Sequence, residues 1–596
     1  MSTDLDARVR DLLDRYDGPE ACAADLLCDR HPAERVAFTV IEPDLSARDL
    51  TYGELRERSS RFAVALAELG VGPGDRVATL MAKSADLVVA LLGIWRRGAV
   101  HVPLFTAFAP PAIGFRLAAS RAKVVVVDAD QAPKLAAGPD LPVDPQRRTI
   151  IVGGVDGSDP QRRGIGADAA GSTGPQGREI VAGVVDGSTT QCPGGGAATA
   201  EGHDPRHSAN VLDPLLFDEL LAAHRTDDPR ADAAVVGGDG LLVQLFTSGT
   251  TGTPKGVPVP VRALASFHAY QEFALDVRAE DVFWNAADPG WAYGLYYAIL
   301  GPLAAGTRSL LLHAAFSAPL TVEVLRRFGV TNFAAAPTVY RALRAHGIAE
   351  PIELRRASSA GEPLTPDVVS WSARELGVAV RDHYGQTEHG MVICHGWHPA
   401  LDRTAPLGSM GTQLPGWHCA VLAEDTDTEA APGEIGRVAI DTDHSPLLWF
   451  SGYLDAPERT ASRYTADGRW YLTGDVGSRD ADGFFRFSAR DDDVIIMAGY
   501  RIGPFEVESV LVLHDQVVEA AVVGKPDELR GEVLEAFVVL RAGVEGDAEL
   551  VGELQQLVKD KFAAHAYPRS IHFVPSLPKT PSGKVQRFVL RGQENR

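Results

Sequence analysis

Over its first two-thirds the chain alternates short apolar runs with longer stretches whose apolar residues recur every three or four positions. "GDRVATLM", "AKVVVVDAD" and "RTIIVGG" are β-rich runs bounded by turn formers. Residues 50–71 and the stretch "SADLVVALLGIWRRGAVHVPL" carry helical spacing, with Gly70 and Gly98 placed to end the two helices. This alternation predicts an α/β fold, because strands separated by helices return parallel within one sheet. At 596 residues the chain is too long for one core, so two or more domains are expected.

A second constraint sits at residues 247–256, "TSGTTGTPKG". It follows the apolar run "LLVQLF", a buried-strand candidate, and precedes "VPVPV". Pro258 and Pro260 forbid an immediate helix by removing donors and fixing φ. A Walker loop needs its helix at once, and here Lys255 follows Pro254 while Gly256 stands where a Walker hydroxyl belongs. The chemistry still suits phosphate. Gly249, Gly252 and Gly256 let backbone N–H groups approach an anion. Thr247, Ser248, Thr250, Thr251 and Thr253 add hydroxyl donors, and Lys255 adds charge. On composition alone, a solvated Gly/Thr turn is the alternative reading.

The net charge of −22 argues against nucleic acid or an anionic membrane as a general partner. Five scattered cysteines, Cys22, Cys28, Cys192, Cys394 and Cys419, contain no C-x-x-C pair. They read as reduced thiols of a cytoplasmic protein rather than a disulfide frame or a zinc site. The acidic, amphipathic start is not a signal peptide, and no apolar run is long enough to span a membrane. Residues 153–210 are rich in Gly, Asp, Ser and Thr, and "IIVGGVDGSDPQ" recurs within them as "IVAGVVDGSTTQ". Two copies are too few for a solenoid, so a flexible surface insertion is expected.

Four later stretches complete the pattern: "SSAGEPL" (358–364), "RDHYGQTEHG" (381–390), the segment from "WYLTGD" to "RDDDVIIMAGYRI", and "LPKTPSGKVQR" (577–587). In this order, with "TSGTTGTPKG" first, they resemble the motifs of the acyl-adenylate-forming superfamily, and of short- and medium-chain acyl-CoA synthetases in particular. The resemblance implies a large multi-subdomain α/β adenylate-forming domain over residues 1–490 and a small, mobile α+β domain over 491–596. It also implies ATP-dependent activation of a short- or medium-chain carboxylic acid to acyl-AMP with release of pyrophosphate, then transfer to CoA. Loading of a carrier-protein thiol and a non-catalytic nucleotide-binding regulator are the alternatives. No carrier domain follows Lys584, which favours CoA.

The resemblance assigns roles residue by residue. Thr247, Ser248, Gly249, Thr250, Thr251, Gly252 and Lys255 would grip the ATP phosphates. Gly361, Glu362, Pro363, Asp382, His383, Tyr384, Gly385, Gln386 and Thr387 would border the nucleotide, with Tyr384 stacking on adenine. Asp475 would take both ribose hydroxyls, a task for two carboxylate oxygens, with Arg490 beside it. Glu388 would hold Mg²⁺, a hard cation that takes carboxylates and phosphate oxygens. Lys584 would offset charge as carboxylate meets α-phosphate, and a lysine acetyltransferase acting on it is a possible partner. Asp492 would be the hinge, and Gly499, Tyr500 and Arg501 would face CoA. Ala489 departs from the glycine usual before the arginine. Trp291, Gly294 and Gly385, with Phe267, His268 and Tyr293, are candidates for the acyl-pocket wall. Acetate-specific relatives carry tryptophan at the position of Gly385, so Gly385 is expected to leave room for longer acids.

Overall fold

The computed structural model describes residues 2–153, 214–247, 254–404, 406–497, 500–527, 530–563, 565–580 and 584–592. The insertion expected over 153–210 therefore lies, but for Gly153, outside the described residues. So do Ser248, Gly249, Thr250, Thr251, Gly252, Thr253 and Gly499.

Among the described residues the chain builds four sheets. The seven-stranded sheet holds the β-rich runs singled out in the sequence: Arg76–Leu80, Val100–Pro103, Val124–Asp128 and Arg148–Val152 pair in parallel. Helices Tyr52–Glu68 and Ala85–Arg96 each start at a side-chain cap. The Thr51 side chain accepts from Glu54 N at 3.2 Å and that of Ser84 from Leu87 N at 3.1 Å. The two helices approach so closely that a Cβ on Gly93 would lie 2.6 Å from the Phe62 ring.

"LLVQLFT" forms the strand Leu241–Thr247, and "KGVPVP" returns antiparallel as Lys255–Pro260. The returning strand lies at the sheet edge, where Pro258 and Pro260 forfeit no ladder hydrogen bond to a further neighbour. At the end of this antiparallel pair Thr247 lies opposite Lys255.

The nine-stranded sheet places Phe283–Asn285, Asn332–Ala335, Arg356–Ala360 and Arg381–Gln386 in parallel, and Gly390–Cys394 folds back antiparallel. "SAGEPL" and "YGQTE" therefore fall at neighbouring carboxyl ends, the usual ligand crevice of open α/β sheets. A four-stranded sheet, closed by Trp470–Arg479 and Phe485–Arg490, carries Asp475 opposite Arg490. One turn of 3₁₀ helix, Asp491–Asp493, leads from it into a five-stranded sheet. That sheet has its own core around Ile495, Val507, Val522, Ala536 and Leu554. Ala489 is buried opposite Val476, where the register of the two strands shifts, and its methyl group is accommodated without a positive φ.

No helix of the described residues is long and apolar enough to cross a membrane. Cys22, Cys28, Cys394 and Cys419 are free and buried.

Candidate active site

The cleft is built on the pair Asp475–Arg490. Asp475 is 4% exposed, and Arg490 Nη1 lies 3.2 Å from its Oδ1. Its Oδ2 accepts from the Tyr384 hydroxyl and, at 2.6 Å, from Gln386 Nε2. Gln386 also donates to Thr473 O at 2.9 Å, tying the "YGQTE" strand to the "LTGD" strand. Strand alternation puts Tyr384 and Gln386 on the face turned to Asp475. Burial, then the Asp475 charge, push the Tyr384 phenol well above its usual pKa, so it stays a donor. Gly474 has φ +74°, and a Cβ there would lie 2.6 Å from Arg463 Nη1, so the glycine of "TGD" is required.

A second group surrounds Glu388, which is 7% exposed. The Tyr453 hydroxyl donates to Glu388 Oε1 at 2.8 Å and accepts from Arg463 Nε at 3.2 Å. Lys255 Nζ stands 4.7 Å over the Tyr453 ring. Leu454 N donates to Gly256 O at 2.9 Å, which seats this segment against the strand Lys255–Pro260. Burial and then Arg463 lower the Lys255 pKa, with Glu388 opposing. Tyr453 and Arg463, on "SGYLDAPERTASRY", escaped the sequence reading because nothing in that segment marks its contact with Glu388.

Lys584 enters from the C-terminal sheet side. As a residue it is exposed, yet burial and then Arg490 lower its pKa, while Glu362, Asp475 and Glu388 pull it up. The two facts agree if the ammonium stands in a cleft walled by protein and open to water. An ion-pair chain runs beside it. Arg341 donates to Glu362 Oε1 at 3.0 Å, its Nε lies 3.4 Å from Glu519 Oε1, and Lys579 Nζ meets the same oxygen at 2.7 Å. Sequence reasoning missed Arg341 and Glu519 as well.

Several expectations are corrected. His383 is buried, with Nδ1 2.7 Å from the Tyr270 hydroxyl and Nε2 3.3 Å from His395 O, so its ring serves the interior rather than a nucleotide. Asp382 accepts from Leu364 N at 3.2 Å, and burial pushes its pKa up to about 7. His268 Nδ1 lies 2.9 Å from the Tyr16 hydroxyl and its Nε2 3.0 Å from Glu272, an anchor for the N-terminal helix rather than a pocket wall. Gly385 and Gly294 do not leave voids. A Cβ on Gly385 would lie 2.1 Å from Gly390 O, and one on Gly294 2.0 Å from Asp288 O. Both glycines permit close backbone approach.

Trp291 lies beside Gly361, whose added Cβ would meet its ring at 3.7 Å, and Phe267 stacks on Tyr296 at 4.3 Å. Tyr293 meets Tyr270 at 3.4 Å between hydroxyls, and Thr387 O accepts from Tyr296 at 2.9 Å. Pro363 continues the turn that carries Glu362. The backbones of Tyr500 and Arg501 form an edge strand of the five-stranded sheet.

Most of the chain matches a known family. The model of the AMP-binding enzyme matches residues 26–454, and that of the AMP-binding enzyme C-terminal domain matches residues 506–584. The chain is 34% identical over 554 residues to the acetyl-coenzyme A synthetase of Bacillus subtilis, covering 91% of this chain and 85% of that one. It is 32% identical over 595 residues to the mitochondrial acyl-coenzyme A synthetase ACSM3 of Mus musculus, covering 98% and 90%. Among solved structures, the acyl-CoA synthetase of Brucella canis superposes with a TM-score of 0.69 at 40% identity, across 99% of this chain and 98% of that one. With both family models matched in order, and the first alone spanning well over half of the chain, the chain belongs to the AMP-binding enzyme family.

Proposed function

We propose that this chain is an ATP-dependent acyl-CoA synthetase. It joins a short- or medium-chain carboxylic acid to AMP with release of pyrophosphate, then passes the acyl group to CoA and releases AMP. The observation that carries this reading is the convergence of Arg490, Asp475, Glu362 and Glu388 within electrostatic reach of Lys584.

Adenylation brings two anions together, so it needs charge compensation and in-line positioning more than proton transfer. Lys584 and Lys255, each within electrostatic reach of Glu388, supply positive charge, and Asp475 and Arg490 hold the ribose. Tyr384 carries the adenine. The buried Glu388 carboxylate is the hard oxygen ligand that would hold Mg²⁺. Bound there with ATP, the ion would neutralise phosphate charge.

The ion-pair chain Glu362–Arg341–Glu519–Lys579 favours the arrangement in which Lys584 faces the cleft. Rotation about Asp492 would break it and bring Gly499, Tyr500 and Arg501 toward CoA. The domain boundary follows at residue 490, with 491–596 as the mobile unit. Acetylation of Lys584 would remove the charge that adenylation uses, which makes a lysine acetyltransferase a regulatory partner. The test is pyrophosphate release with and without CoA over a panel of straight-chain acids. Release that depends on acid and yields acyl-CoA supports the reading; accumulation of acyl-AMP unaffected by CoA would replace CoA with another acceptor.

A further inference from the structure

Three side chains that take no part in the cleft gather at one edge of the four-stranded sheet. His418 precedes the strand Cys419–Leu422, Asp441 ends the strand Ile435–Asp441, and His444 follows in the next turn. His418 Nδ1 lies 3.5 Å from Asp441 Oδ2, and His444 Nδ1 lies 3.0 Å from Asp441 Oδ1. The three ligand atoms lie within 4.8 Å of one another, and among the described residues no other such trio is so close. Two ligands of a tetrahedral ion bonded at about 2.0–2.1 Å stand about 3.3 Å apart. Each imidazole already stands near that distance from one oxygen of the carboxylate, His418 from Oδ2 and His444 from Oδ1.

The carboxylate is fully buried, at 0% exposure. Its Oδ2 accepts from Arg469 at 3.1 and 3.3 Å, and its Oδ1 from the backbone N–H groups of Asp443 and His444 at 3.0 and 3.1 Å. Independently, His418 Nδ1 is buried and has no hydrogen-bond partner. It faces the carboxylate at a distance too long for a hydrogen bond, where an ion between them would satisfy both.

We propose that His418, Asp441 and His444 form a binding site for a divalent transition ion of the zinc class, separate from the adenylation cleft. Two imidazoles and one carboxylate favour zinc, cobalt, nickel or copper over magnesium or calcium. His444 is 66% exposed and can swing to close the third edge. Arg469, half exposed and resting 5.0 Å over the Trp470 ring, is the cation the ion displaces from Oδ2. Asp441 pairs across the sheet with Trp470, on the strand that continues to Asp475. The ion therefore ties the turn after residue 441 to His418, at the start of the strand Cys419–Leu422.

The experiment uses untagged full-length protein freed of metal by chelation. It is titrated with zinc by calorimetry and with cobalt by visible spectroscopy. A single zinc ion is expected to bind, and cobalt to give d–d absorption without an intense sulfur-to-cobalt band. His444→Ala and His418→Ala are each expected to weaken binding about tenfold or more, since even outer-sphere partners are worth that much. His444 is exposed, so its replacement leaves the fold intact and the test does not depend on the half-buried His418. Absence of saturable binding, or binding that persists at wild-type affinity in His444→Ala, would overturn the assignment.

Discussion

Replacing Tyr453 by phenylalanine isolates one oxygen in the cleft. The phenyl ring remains, so the packing and the Lys255 contact at 4.7 Å survive. What disappears is the 2.8 Å hydrogen bond to Glu388 and the acceptor for Arg463 Nε. Hydrogen bonds to charged groups contribute about 1.5–3 kcal/mol. Glu388 is 7% exposed, so little water is at hand to replace the lost donor. If the hydroxyl holds Glu388 in its working position, the loss appears in adenylation, and 1.4 kcal/mol is tenfold in rate. The expected fall in kcat/KM for ATP is therefore about ten- to 150-fold, with a raised Mg²⁺ requirement. ATP–pyrophosphate exchange at varied Mg²⁺ measures both. Thioester formation from supplied acyl-AMP should change little. Tyr453→Ala removes the cation–π contact as well, a further loss of about 0.5–1 kcal/mol. Exchange rates within twofold of wild type in Tyr453→Phe would refute the claim that this hydroxyl positions Glu388.

Arg341→Gln breaks the link from Glu362 to Glu519. A partly exposed pair is worth about 1 kcal/mol or less, so single-turnover adenylation should slow no more than about fivefold, while transfer to CoA is unaffected or faster. Equal slowing of both steps would contradict its role as a clamp. Gly385→Ala sets a methyl group against Gly390 O and should cost about 1–3 kcal/mol, read as a lower unfolding temperature. Gly385→Trp should lose fold rather than reorder acid preference; a stable tryptophan variant that favours acetate would restore the pocket-void reading. An amine with a lowered pKa loses its charge at lower pH than usual. The alkaline limb of kcat/KM for ATP should therefore fall below the ordinary lysine value of 10.5, and a limb that persists unchanged in Lys584→Arg would belong to another group.

Much of this was legible in the sequence because it rests on local rules. The two helical stretches, their stops at Gly70 and Gly98, and the lack of a helix directly after the loop, which Pro258 and Pro260 forbid, all follow from residues a few positions apart. The Asp475–Arg490 pair was legible from motif order, and the sheet sets the two directly opposite. Tyr453 and Arg463 were not, since they reach Glu388 only because a bridge between Gly256 and Leu454 joins segments about 200 residues apart. Glycines misled for a related reason. From sequence, an absent side chain at Gly385 reads as space, whereas the bulge beside it brings another backbone into that space. His268 reads as a pocket residue until the N-terminal helix supplies Tyr16, and Arg8 beside Glu272.

The central claim is that Lys584 serves adenylation alone. Lys584→Ala, confirmed as folded by its unfolding temperature, is assayed for acid-dependent ATP–pyrophosphate exchange and, separately, for thioester formation from synthetic acyl-AMP and CoA. The account predicts that exchange is abolished while thioester formation persists near the wild-type rate. Retained exchange, or loss of both activities together in a folded protein, would contradict it.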